Sequence, residues 1–339
     1  MRSILKLISL TIIVLSYTVL GQDISKSGTT AAQFLKINVG PRAMGMGSAF
    51  AATADDISAI YWNPSGLAAD YTNNAYFNHT SWIADVDVEF AALTSYIDGF
   101  GTIGAFVSVA KEIDGEVVRT VDQPEGTGEL FDAGGITIGL TYARQLTDHF
   151  SMGFNVKYIN EKIWHMNASG FALDVGALYK IDILNEFRIG ANISNFGTKM
   201  KLSGRDILEV KAVGAGNQGN LINTETVLDE FSLPLIFRVG VAADLLQTET
   251  LRFTLGIDAV HPNDHTEYVN VGGEFGWNDI LFVRAGYKSL FERDTEQGLT
   301  LGLGFNYRLS TVLKFLFDYA YQDFGRLEGV HYISVGIKF

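Results

Sequence analysis

Three short constellations in this 339-residue chain have residue types that could do chemistry. Gly214-Ala215-Gly216-Asn217-Gln218-Gly219 fits the glycine spacing of a phosphate cradle, in which backbone N–H groups approach a dinucleotide. That chemistry needs a strand before the glycines and a helix after them. The run lies instead in a long polar stretch, so a flexible loop is expected. His261 and His265 have the four-residue spacing of zinc-binding imidazoles, with Asp264 between them, but Pro262 and Asn263 place them on a loop rather than on one helix face. Asp85, Asp87 and Glu89 put three carboxylates on one side of an extended segment, which could attract Ca²⁺ or other bridging divalent ions, although a solvated rim is the plainer reading. The absence of cysteine removes disulfides, thiolate metal sites and a cysteine nucleophile. No Ser/His/Asp set falls on adjacent strands, so no enzymatic activity, catalytic residue, cofactor or metal is expected. A formal net charge of −13 argues against nucleic acid as a partner.

The remaining charges follow a period of two. From Gly298 to Leu309, the set Leu299, Leu301, Leu303, Phe305, Tyr307 and Leu309 alternates with Gly298, Thr300, Gly302, Gly304, Asn306 and Arg308. Phe187/Ile189/Ala191/Ile193 against Arg188/Gly190/Asn192/Ser194 repeats the pattern. A soluble sandwich turns such charges outward, whereas a membrane barrel turns its apolar side to hydrocarbon and its polar side to the lumen. Phased as a barrel, Asp174, Arg188, Arg238, Arg252, Asp258, Glu274, Arg284, Arg308, Lys314 and Asp318 share one interior, with both signs present. Unpaired charges there are costly away from water, so a lattice gripping some filling of the lumen is expected, with a hydrated wall as the bland alternative. On the same phasing, Gly302 should accept a small side chain more easily than Leu303 accepts a charge.

The elements that position these residues are about fourteen strands between residue 73 and Phe339. Tight turns are expected at Asp98-Gly99, Gln145–Asp148, Ile181–Asn185, Gln247-Thr248, Trp277-Asn278 and Ser310-Thr311, with mostly longer loops between them, the largest about 197–230. The last strand presents Ile333, Val335, Ile337 and Phe339 on one face and Tyr332, Ser334, Gly336 and Lys338 on the other. Such a strand cannot be left as a free edge, and an even count lets it close on the first. Arg2 and Lys6 precede an apolar run from Leu7 to Leu20, so residues 1–21 read as a signal peptide. Residues 22–72 do not alternate. They are rich in small residues, and Asn63 can cap a short helical turn with Pro64 at its first position. The expected architecture is therefore all-β: a transmembrane antiparallel β-barrel over 73–339, with residues 22–72 as a hatch in its lumen. Arg42, Asp55 and Asp56 are its expected charged contacts with the lattice.

The stretch from Thr30 to Ala68 carries Gly40, Arg42, Ala43, Gly45, Gly47, Asp55, Asp56, Asn63, Pro64 and Gly66. It closely resembles the N-terminal signature of the PorV/PorQ family of outer-membrane proteins and, more distantly, the hatch of FadL-type transporters. The resemblance implies a role in type IX secretion, in which outer loops and rim bind exported client proteins or the translocon. It also implies a Gram-negative outer-membrane location among outer-membrane lipids, with Phe339 read by the barrel assembly machinery. The alternative is a FadL-like passive transporter of hydrophobic small molecules, which needs an apolar internal pocket and a kinked strand. Inward faces dominated by Gly, Ser, Thr, Asn and charge, with Leu178, Ile236 and Leu316 scattered among them, favour the secretion reading.

Overall fold

The computed structural model describes residues 26–183, 185–213, 220–292 and 295–339. The expected signal peptide and the glycine run 214–219 lie outside the described residues. Fourteen strands form one closed antiparallel ring: β1 (Asn74–Ser81), β2 (Asp87–Ile97), β3 (Gly101–Val117), β4 (Leu130–Thr147), β5 (Phe150–Ile163), β6 (Met166–Ile181), β7 (Phe187–Gly197), β8 (Ile236–Gln247), β9 (Leu251–Pro262), β10 (Tyr268–Trp277), β11 (Leu281–Leu290), β12 (Leu299–Arg308), β13 (Lys314–Asp323) and β14 (Gly329–Lys338). The ring closes where β1 pairs with β14, from Asn74 opposite Lys338 to Ser81 opposite His331. Phe339 extends that ladder by exchanging backbone hydrogen bonds of 2.9 and 3.0 Å with Asn73, so no edge is left free.

Alternation decides which face each side chain takes. On β12, Leu303 is 58% exposed on the outer wall and Thr300 is 0% exposed inside. We expect Leu303→Arg to cost about 2–4 kcal/mol of insertion near the bilayer midplane, read from the folded fraction in lipid vesicles, with Asn306→Ser as the mild control. Gly302 is not a suitable control, which corrects the expectation above. A Cβ on Gly302 would lie 2.9 Å from the Cα of Gly45, so two backbones meet where only glycine fits.

Connections after β2, β4, β6, β8, β10 and β12 lie at one end of the ring, and those after β1, β3, β5, β7, β9, β11 and β13 lie at the other. One end has short turns together with both termini of the strand run, and the other has longer loops. Trp164-His165, between β5 and β6, is the exception, a tight link at the loop end with Trp164 at φ 53°. The longest connection is not plain loop. It carries a two-stranded ribbon, Leu208–Val213 paired with Asn220–Glu225, that stands outside the ring. β8 begins at Ile236, two residues after Pro234, which has no N–H to give the ladder. Asp85 also departs from expectation. It lies in a 3₁₀ turn (Ile83–Asp85) with φ 58°, away from the strand positions of Asp87 and Glu89, and Glu89 bonds His79 at 2.8 Å.

Residues 31–70 pack against inward faces of the ring. Helix α1 (Pro41–Gly45) lies against β11, β12, β13 and β14, while the 3₁₀ turn Pro64–Ala69 lies against β3, β4, β5 and β6. Between them Met44, Met46, Phe50, Ile57, Ile60, Trp62 and Leu67 form a fully buried core. Ring glycines admit this close approach. Gly153 meets the Pro64 backbone, Gly190 meets Ala51, and Gly272 meets Met46, each without room for a Cβ.

Candidate functional site

The turn-end half of the interior is organised around one carboxylate. Gly40, at φ 92°, turns the chain into α1, and Pro41 at the first helical position sets the backbone that aims Arg42 at β10. The Arg42 Nε and Nη2 groups donate to Glu274 at 2.8 and 3.0 Å, a bidentate pair. Arg284 Nε (2.7 Å) and Arg252 Nη2 (3.1 Å) also donate to Glu274, so three guanidinium groups converge on a side chain that is 1% exposed. Arg284 continues to Asp318 at 2.6 Å. Among the described residues, Asp55 and Asp56 make no ion pair with a ring arginine. Both bond Arg42 Nη1 within their own segment, Asp56 at 3.0 Å, and so pre-set the guanidinium that Glu274 receives.

The other predicted positions hold the segment through backbone groups. Asp258 on β9 accepts the N–H of Phe50 (2.8 Å) and of Ala51 (2.7 Å). The Asn63 amide donates to the carbonyls of Ala51 (2.7 Å) and Ala177 (3.1 Å), and its oxygen accepts the Ser65 N–H that caps the Pro64 turn. Gly47, at φ 63°, donates its N–H to Thr300 at 3.0 Å, Gly66 has no room for a Cβ beside the Ala54 carbonyl, and Ala43 is fully buried. Arg238 lies over the Trp62 ring at 5.3 Å. Asp174 pairs with Lys157 at 2.7 Å, and Arg188 with Asp244 at 2.7 Å. Lys314 is half-buried on a polar turn-end cavity of about 210 Å³. Arg308 is the correction. It ends β12 exposed beyond the filled part of the ring and makes no ion pair among the described residues.

Some contributors escaped the sequence reading. Lys157 follows the same alternation that selects Asp174, so its signal was present. Asp244 sits at a register shift between β8 and β9, where simple phasing fails. Asp70 binds Lys338 at 2.7 Å, tying the end of the segment to the closing strand. Asn155 and Asn192 donate to the carbonyls of Ile60 and Trp62, each at 2.7 Å.

Asp264 anchors the loop end. It accepts hydrogen bonds from Thr30 (2.7 Å), Lys36 (2.9 Å) and Gln33 (3.1 Å). Its neighbours in sequence turn elsewhere: His261 pairs with Glu267 at 2.8 Å and His265 with Glu292 at 2.9 Å. No metal-type cluster of His, Asp and Glu occurs among the described residues. Burial pushes the Asp264 carboxyl up, but the bonds from Thr30, Lys36 and Gln33 outweigh it and hold it below its ordinary value. A depressed carboxyl stabilises the folded state above its unfolded pKa, about 3.9, and that contribution is lost as pH falls through the lower folded value. Hydrogen-exchange protection at residues 30–37 should therefore hold at neutral pH and collapse below about pH 4. Asp264→Ala should lower it at every pH. Protection that ignores both changes would show that the anchor is elsewhere.

A closed fourteen-strand ring with an apolar outer wall, a charged inner wall and residues 31–70 packed inside defines an outer-membrane β-barrel of FadL-like fold. Solved structures with this fold include the CymD monoaromatic hydrocarbon channel, at 13% identity over 89% of this chain and 97% of that one with a TM-score of 0.54. A Pseudomonas aeruginosa FadL homologue is 11% identical over 89% and 98%, TM-score 0.52, and the Ralstonia pickettii toluene transporter TbuX is 12% identical over 89% and 98%, TM-score 0.54. No curated protein sequence matches the chain significantly. Residues 21–208, more than half of the chain, match the family described as type IX secretion system protein PorV, and the chain belongs to that family.

Proposed function

We propose that this type IX secretion barrel works through its surface, binding exported client proteins or the translocon with its loop-end rim, while residues 22–72 act as a hatch that seals the lumen. The observation that carries the reading is the double attachment of the segment, to Glu274 through Arg42 at the turn end and to Asp264 through Thr30 and Lys36 at the loop end. A filled interior leaves loops and rim as the working surface. The loop end, extracellular by the usual barrel rule, exposes apolar side chains at Val121, Leu221, Val227 and Phe291 that suit a protein contact. Export through the signal peptide 1–21, assembly through recognition of Phe339, a wall bathed in outer-membrane lipid and the absence of catalysis belong to the same proposal.

A second reading, passive transport of a hydrophobic small molecule, draws on the relatives named as a monoaromatic hydrocarbon channel and a toluene transporter, and on an apolar-walled cavity at the loop end. Affinity capture from solubilised outer membranes followed by mass spectrometry separates the two. Secreted proteins sharing a C-terminal domain, or a translocon subunit, support the secretion reading. A co-purified apolar small molecule without protein partners supports transport instead.

A further inference from the structure

The outer wall carries one constellation that neither the hatch nor the lumen uses. Asn78 and Thr80 point inward and are 0% exposed, so Phe77, His79 and Ser81 face outward from β1. His79 Nδ1 lies 2.8 Å from Oε1 of Glu89, its direct ladder partner on β2, and His79 Nε2 lies 3.1 Å from Ser81 Oγ. An ionised carboxylate only accepts, so Nδ1 carries the proton and the Nε2 lone pair of the neutral ring faces the hydroxyl. The second Glu89 oxygen is enclosed and has no partner among the described residues, so the imidazole is what this carboxylate serves. Asp87, 4.0 Å from Nε2, is beyond hydrogen-bond reach. Nucleophile, base and orienting acid therefore stand in the order of a hydrolytic triad. The β1–β2 register corrects the expectation that adjacent strands hold no such set, because it joins residues ten positions apart and supplies glutamate as the acid.

The surroundings define what such a triad would meet. Toward the turn end the same outer face is apolar, and a groove of about 600 Å³ opens there, lined by Phe77, Leu93, Val107 and Val335 around the small side chains of Ala75 and Ala91. Toward the loop end the face turns polar. Asp87 stands opposite Lys111 in the β2–β3 ladder, and His331 stands opposite Ser81 in the β1–β14 ladder, its Nδ1 2.8 Å from the Tyr319 hydroxyl. The loop end is extracellular by the usual barrel rule. The change from apolar to charged wall therefore lies at the outer leaflet, at the depth where the ester linkages of membrane amphiphiles join chain to head group.

We propose that Ser81, His79 and Glu89 form an ester-hydrolase site on the outer wall, acting on a fatty acyl ester of an outer-leaflet amphiphile whose chain lies in the groove. Ser81 Oγ attacks the ester carbonyl carbon while its proton passes to His79 Nε2. The tetrahedral adduct expels the alcohol oxygen, which takes that proton, and the acyl group stays on Ser81. Water then attacks the acyl carbon, giving a proton to Nε2; collapse returns that proton to Ser81 and releases the fatty acid. Glu89 stays ionised and holds the ring, as a positioning residue. Tyr319 donates to His331 Nδ1, which leaves an Nε2–H opposite Ser81 for the developing oxyanion. Two sources carry the acyl ester, a glycerophospholipid and an acylated glycolipid of the lipid A kind. The activity is independent of the secretion reading and departs from it on one point, the absence of catalysis.

The test uses the full mature protein in alkyl maltoside micelles, mixed with either diacyl phosphatidylethanolamine or lipid A, and released fatty acid is measured by mass spectrometry. A second sample is treated with hexadecanesulfonyl fluoride, which leaves a sulfonyl ester on an activated serine as fluoride departs. Fatty acid should appear from at least one lipid, and the adduct should map to Ser81. Ser81→Ala and His79→Gln should each cut release by at least about a hundredfold in barrels that keep their heat-modifiable mobility. Glu89→Gln should lower kcat by about tenfold at unchanged KM, and Glu89→Asp should recover part of it. Release from phosphatidylethanolamine alone assigns the site to phospholipid, release from lipid A alone assigns it to glycolipid, and release from both supports a general acyl esterase. No release from either lipid, an unlabelled Ser81, or release that persists in a folded Ser81→Ala protein overturns the proposal. If the variants do not assemble, the adduct on the unaltered protein still decides. Client capture can succeed or fail without altering this result, so the two readings are tested separately.

Discussion

Deleting residues 30–66 should turn a barrel that passes almost no ions in a planar bilayer into one with a steady polar conductance. The intact interior is occupied by a buried core from Val39 to Leu67. The ring's own inner face is polar, with Asn155, Asn192, Asp258 and Glu274 all fully inside, so removing the segment would leave a wettable channel rather than a collapsed one. A milder version of the same result is expected from Arg42→Glu. It adds a carboxylate beside Glu274, Asp55 and Asp56 while removing their shared guanidinium partner. The resulting leak should grow at low salt, where like-charge repulsion is less screened. Steady conductance from the unaltered protein that the deletion does not change would mean that the segment is no seal, and the hatch reading would be abandoned.

The second large effect is thermodynamic. Glu274→Gln keeps the shape of the side chain but leaves Arg42, Arg252 and Arg284 converging on a neutral amide in a site with almost no solvent. Removing one partner of a buried ionic group typically costs about 3–5 kcal/mol. Urea-driven unfolding from lipid vesicles should show a loss of that order. Arg308→Gln, at an exposed strand end, should change stability by less than about 0.5 kcal/mol. Combining Glu274→Gln with Arg42→Gln should cost less than the sum of the single changes, because the second substitution removes one of the orphaned cations. A Glu274→Gln protein as stable as the original would show that water, rather than the arginines, satisfies Glu274.

Alternation along single strands was enough to read a barrel of fourteen strands, its inward and outward faces and its closing strand, with Phe339 completing the seam. Covalent geometry fixes the two-residue period of any strand, and the contrast between hydrocarbon and a polar lumen is written at each position separately. The same local logic placed Asn63-Pro64 at a capped turn and put Asp174, Arg188, Arg238, Asp258, Glu274 and Arg284 inside. Local logic failed where the backbone broke its own period, at the irregular pairing beside Asp244. It also failed at Arg308, where the strand outruns the segment it was expected to grip.

Which charge meets which could not be read in this way. Asp55 and Asp56 turn back onto Arg42, Glu274 gathers three arginines, and Asp264 holds the start of the segment. Arg42 and Glu274 are 232 positions apart in the chain, and nothing in the spacing around either one encodes the other. Their meeting depends on ring closure, on the register of every ladder between them and on Gly45 and Gly302 being small enough for the segment to touch the wall. Those are properties of the closed barrel as a whole, so they came into view only with the fold.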